Sequence, residues 1–128
     1  MKTFEDMETI LHKMVEELPD DLFRELNGGV ILLPDIKMHK ESTWSDNLFI
    51  LGEYNNDPRG LGRYITVYYG SFMQLYSLFS PERQKEKLRR ILYHEFTHHL
   101  ESLAGEKDLE IKDARDLLEF KSRRFKRT

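Results

Sequence analysis

The chain contains no cysteine. That excludes a disulfide scaffold, a thiolate zinc site and cysteine nucleophile chemistry, and it fits a reducing compartment. No apolar stretch approaches the length of a membrane span, and no apolar run follows the acidic N-terminal residues Glu5, Asp6 and Glu8 as in a secretory signal. There is no excess of positive charge either: the formal net charge is −3, which argues against nucleic acid as the partner. Internal repeats and low-complexity segments are missing. What remains is 128 residues, 39% hydrophobic and 34% charged, the balance of a soluble domain with one core. The expectation is a single domain over residues 1–120 followed by a basic tail, 121–128, in a cytoplasmic protein.

What is present centres on Tyr93-His94-Glu95-Phe96-Thr97-His98-His99. It contains His94-Glu95-x-x-His98, the zincin signature. On a helix, residues four apart share a face one turn apart, so both imidazoles can reach one Zn²⁺. Glu95 points about 100° from His94, in reach of a water beside the metal, where it can act as general base. Zinc is therefore the expected cofactor, with His94 and His98 as ligands and Glu95 as the catalytic residue.

The flanking residues place this motif inside a long helix. Ser80 is a natural N-cap, Pro81 suits the first turn, and Glu82 to Leu92 are good helix formers apart from Ile91. Gly105 stands where a helix would end. Leu88, Leu92, Phe96, Leu100 and Leu103 fall on one arc of the helical wheel, and His94, His98 and Glu101 fall nearly opposite. His99 lies beside the apolar arc and reads as a packed residue.

A catalytic zinc takes three protein ligands. The third must be His, Asp or Glu here. Glu101 shares the histidine face but lies seven residues from His94, about 10.5 Å along a straight helix. A chain that turns at Gly105 can return Glu106, Asp108 or Glu110 instead. Asp108 is the preferred ligand, with Glu101 and Glu106 as alternatives and Asp113 as a partner for a ligand imidazole.

The remaining elements follow from periodicity. Thr3 to Leu18 reads as an amphipathic helix with Thr3 as N-cap and Asp6 three residues on. A second short helix spans Asp21 to Leu26. Val30 to Leu33 reads as a strand that Pro34 limits to an edge. Lys40 to Asn47, with Trp44, reads as a loop. Leu48–Tyr54 and Arg63–Tyr69, joined by the turn-rich Asn55 to Gly60, read as an antiparallel hairpin. Phe72, Leu75, Tyr76 and Phe79 form a helical stripe. Leu109 to Phe120 reads as a last helix with Ile111, Ala114, Leu117 and Leu118 inward. The expected fold is α+β and zincin-like: an antiparallel or mixed sheet of about three strands packed on the motif helix, with N- and C-terminal helices beside it.

At these residues the chain resembles a family of small bacterial zincin-like metallopeptidases, first catalogued as domains of unknown function. The similarity rests on the compact length, the Tyr- and Ile-rich hairpin and the His-Glu-x-x-His-His block at 94–99, and covers roughly residues 48–118. In the family a Phe-Gly turn and an acidic ligand follow the His pair. Here Leu100-Glu101 replaces Phe-Gly and a longer segment precedes Asp108, where the acidic ligand lands. No methionine follows Met73, so the Met-turn of metzincins is absent. The resemblance implies a zinc peptidase acting on a peptide or protein substrate. The strand Arg63–Tyr69 is then the expected wall of the cleft, with Tyr68 or Tyr69 as an oxyanion donor or a packed aromatic. A different class stays open: a metal-binding interaction or regulatory module without turnover.

Overall fold

A computed structural model of the chain describes residues 3–42 and 48–105. Helix α1, Phe4–Glu16, begins with a complete capping box: the Thr3 hydroxyl accepts from the Asp6 backbone N–H, and the Asp6 carboxylate accepts from the Thr3 N–H. Met7, Leu11 and Met14, at three- and four-residue spacing, form its buried face. The expected second helix is shorter and tighter, a 3₁₀ turn over Asp20–Phe23.

Strand β1, Gly29–Leu33, is followed by β2, Lys37–Met38, and β3, Phe49–Ile50; then come β4, Gly52–Asp57, and β5, Gly62–Tyr68. The main sheet is mixed, in the order β1-β5-β4. β1 runs parallel to β5, with Val30 opposite Ile65 and Leu32 opposite Val67. β4 and β5 form the expected antiparallel hairpin, with Gly52 opposite Val67 and Tyr54 opposite Ile65. β2 and β3 pair separately as a two-stranded antiparallel sheet. The segment expected as one strand from Leu48 to Tyr54 is thus divided at Leu51. Its first half pairs with β2 and its second with β5, and the Leu51 carbonyl accepts from the Tyr68 N–H at 2.9 Å.

Two more helices follow: α2, Tyr69–Tyr76, and α3, Pro81–Ala104. In α2, Phe72 is buried, but Leu75 of the expected stripe is 43% exposed. In α3, the Ser80 hydroxyl accepts from the Arg83 N–H, as its sequence position predicts. Gly105 does end the helix, in right-handed rather than left-handed geometry (φ −71°). α3 packs across β4 and β5 on one side and against α1 on the other. Leu88, Leu92, Phe96, Leu100 and Leu103 are all buried, so the arc read from the sequence is the arc that meets the core.

The α+β class and the sheet on the motif helix stand as expected. Trp44 and the helix expected over 109–120 lie outside the described residues, as does the basic tail. No described helix is long and apolar enough to cross a membrane.

Candidate metal centre

The α3 register puts His94 and His98 on its solvent side, one turn apart, and their Nε2 atoms lie 3.1 Å apart, with the rings nearly perpendicular at 86°. Two imidazole nitrogens bound to one tetrahedral zinc at about 2.0–2.1 Å would be roughly 3.3 Å apart. The two rings thus share a hydrogen bond whose length is within a few tenths of an ångström of the spacing a shared ion would require, so these two residues fit as a pair of Zn²⁺ ligands.

Glu101 stands on the other side of His98, with Oε2 3.9 Å from Nδ1. That is the nitrogen a zinc-bound imidazole turns to a carboxylate, which fixes its tautomer and ring orientation. Glu101 thus stands beside the far nitrogen of His98, beyond hydrogen-bond distance, and not beside the facing Nε2 atoms. Asp108, Glu106, Glu110 and Asp113 lie outside the described residues. Among the described residues no third His, Asp or Glu joins the pair in a metal-sized group.

Glu95 faces differently from its neighbours. It is only 6% exposed, on the side of α3 that meets β4. Burial pushes its carboxyl above the usual range; His98 nearby draws it part of the way back, and the Glu53 carboxylate raises it again. A largely desolvated carboxylate at the end of a cleft is placed as a general base would be. Among the described residues nothing hydrogen-bonds the carboxylate, which leaves it available to a water or a substrate.

His94 and Glu95 form one end of a cleft of about 510 Å³. Phe49–Gly52 makes one wall, and Lys87, Arg90 and Ile91 extend the α3 wall, with Tyr76 closing it from α2. The expected wall, β5, is the central strand, with its backbone already paired on both sides. The strand segment beside the motif is instead β3, of the separate two-stranded sheet, with the start of β4, an edge strand of the main sheet. Gly52 makes this approach possible. A lone glycine inside a strand pattern is a sequence sign of close backbone approach, and it was the available signal for this wall.

His99 is fully buried. Its Nδ1 lies 2.8 Å from the Tyr54 hydroxyl and its Nε2 2.9 Å from the Arg24 carbonyl, so both nitrogens are committed within the protein. Desolvation holds its pKa below the ordinary value, although the Arg24 carbonyl favours the charged ring. This is the packed role expected of it. Tyr68 is also committed: its hydroxyl donates to Glu53, which pairs with Lys37 from β2. That network ties β2 to the hairpin, and it is Tyr68's packed role rather than the oxyanion role that the structure displays.

No protein-family model matches the chain, and no curated protein matches it. Among solved structures it is similar to a conserved hypothetical protein from Thermus thermophilus, at 32% identity and a TM-score of 0.68. The match covers 82% of this chain and 100% of that one. The chain belongs to the same family as that protein.

Proposed function

We propose that this protein is a zinc-dependent metallopeptidase of zincin type. His94 and His98 hold the ion, an acidic residue after Gly105 completes the set with Asp108 preferred, and Glu95 is the general base. The observation that carries the reading is the 3.1 Å approach of the two Nε2 atoms beside the buried Glu95 carboxylate that lines the same cleft.

Zn²⁺ held by His94, His98 and that acidic residue would supply Lewis acidity for activating water at neutral pH. Glu95 accepts a proton from the attacking water on its carboxylate and returns it to the leaving amine. Glu101, 3.9 Å from the far nitrogen of His98, is close enough to orient that ring once it approaches to hydrogen-bond distance. An extended substrate would run along the cleft wall that Phe49–Gly52 forms.

The test uses protein purified without an affinity tag, loaded with zinc and incubated with a peptide library. Glu95→Gln should bind zinc as the parent does and lose hydrolysis. His94→Ala and His98→Ala should lose both. Hydrolysis that survives Glu95→Gln removes Glu95 from its role. Zinc binding that survives both histidine changes removes the centre. A protein that binds zinc at these residues and cleaves nothing is the metal-binding module.

A further inference from the structure

The cleft that starts at His94 and Glu95 runs along α3 toward its N-terminal end. Lys87, Arg90, Ile91, His94 and Glu95 are spaced three, one, three and one residues apart, so they share one face over two turns. The two ends differ in chemistry. Between Pro81 and Leu92 the helix carries five cations (Arg83, Lys85, Lys87, Arg89, Arg90) against two carboxylates (Glu82, Glu86), in a chain whose net charge is −3. Two of those cations, Lys87 and Arg90, line the cleft, and the stretch between them and the histidines is walled by Ile91, Tyr76, Phe49 and Ile50.

We infer that this cleft selects peptides bearing a carboxylate two or three residues from the cleaved bond, with an apolar residue between. The inference rests on the reading that hydrolysis takes place at His94, Glu95 and His98. The distances set the register. At 1.5 Å per residue, Arg90 lies about 6 Å and Lys87 about 10.5 Å along the axis from His94. An extended peptide advances roughly 3.3 Å per residue, so these spans correspond to about two and three residues.

Both cations are able to accept a new carboxylate. Arg90 meets Glu86 at 2.8 Å, but both side chains are half exposed, and an exposed pair of this kind is easily shared. The Lys87 ammonium lies 5.7 Å from the centre of the Tyr76 ring, and no carboxylate among the described residues pairs with it. Tyr76 thus holds Lys87 over the cleft while leaving its charge unmatched. A peptide C-terminus and an Asp or Glu side chain offer the same group, and the experiment distinguishes them.

The measurement is fluorescence anisotropy with zinc-loaded Glu95→Gln protein, which binds without turnover. One probe pair is the labelled, C-terminally amidated peptide Ala-Ala-Ala-Leu-Asp-Ala and its Asn counterpart. A second pair is Ala-Ala-Ala-Leu-Ala as free acid and as amide. The acidic member of at least one pair should bind about tenfold more tightly at low salt, as charge complementarity allows. The pair that responds names the source of the carboxylate. Adding Lys87→Ala and Arg90→Ala should erase the difference without lowering the melting temperature, since alanine is the best helix former and neither side chain is buried. Equal binding of acidic and neutral members, or a preference that survives the double substitution, overturns the inference. The parent enzyme separates this from the hydrolysis reading. Turnover indifferent to the carboxylate sinks the subsite and leaves the peptidase; a charge-dependent preference with no turnover sinks the peptidase and leaves a carboxylate-binding cleft.

Discussion

Gly52 on β4 sits directly against Glu95 on α3: a methyl group there would lie 3.3 Å from the Glu95 Cγ and 2.9 Å from the Ile91 Cγ2. The absence of a side chain is what lets strand and helix close together, with Gly52 against the Glu95 stem. Ile91 is β-branched and buried, so it has little freedom to move aside. Gly52→Val should therefore cost about 1–3 kcal/mol by overpacking. If the shift displaces Glu95 by an ångström, hydrolysis should fall by about a hundredfold. Urea unfolding and peptide turnover measure the two effects separately. Unchanged turnover would mean that Glu95 is not positioned by this contact.

Zinc should stabilise the fold. With free zinc at about a thousand times its dissociation constant, linkage adds roughly 4 kcal/mol. A chelator should lower the melting temperature of the parent and leave that of His94→Ala unmoved. An equal response in both proteins would place the ion elsewhere.

His99 is one residue from a proposed ligand and does an unrelated job. Truncating it removes a ring that partners Tyr54 and the Arg24 carbonyl and leaves a cavity beside Phe96. His99→Ala should destabilise by about 2–4 kcal/mol, while Tyr54→Phe should cost about 1 kcal/mol. In both variants zinc stoichiometry should stay at the parental value, by elemental analysis under native conditions. Loss of zinc from a folded His99→Ala protein would bring that ring into the centre.

The Lys37–Glu53–Tyr68 network gives a pH dependence. Burial acts to raise the Glu53 carboxyl, but the Lys37 ammonium and the Tyr68 hydroxyl outweigh it and hold the pKa below the ordinary 4.5. A carboxyl depressed on folding contributes stability that is fully present above its unfolded pKa and is lost as pH falls through the folded one. Between pH about 5 and 3 the parent should therefore lose more stability than Glu53→Gln. The excess should be on the order of half a kcal/mol, because the Lys37–Glu53 pair is partly solvated. Parallel acid sensitivity of the two proteins would remove Glu53 from the effect.

Features encoded within a few neighbouring residues were legible in advance. The Thr3–Asp6 capping box, the Ser80 cap and the Leu88-to-Leu103 arc depend on contacts inside one helix, so spacing alone specifies them. The hairpin of β4 and β5 was legible because a short turn joins its strands. The parallel pairing of β1 with β5 was not, since its partners are more than thirty residues apart and no turn chemistry marks them. For the same reason β5 was expected as the cleft wall, although it is the strand enclosed on both sides.

By itself the sequence determined that His94 and His98 share a helical face: the 3.6-residue period fixes that before any other element packs. It also determined that the opposite face is apolar and must be buried. Only the tertiary structure decided that Glu95 is shielded while the histidines stay open, because shielding depends on Gly52 arriving from another element. It likewise decided that His99 spends both nitrogens on Tyr54 and Arg24, 45 and 75 residues away. Helical periodicity is a property of the local backbone, whereas desolvation and hydrogen-bond partnership depend on what the rest of the chain brings alongside.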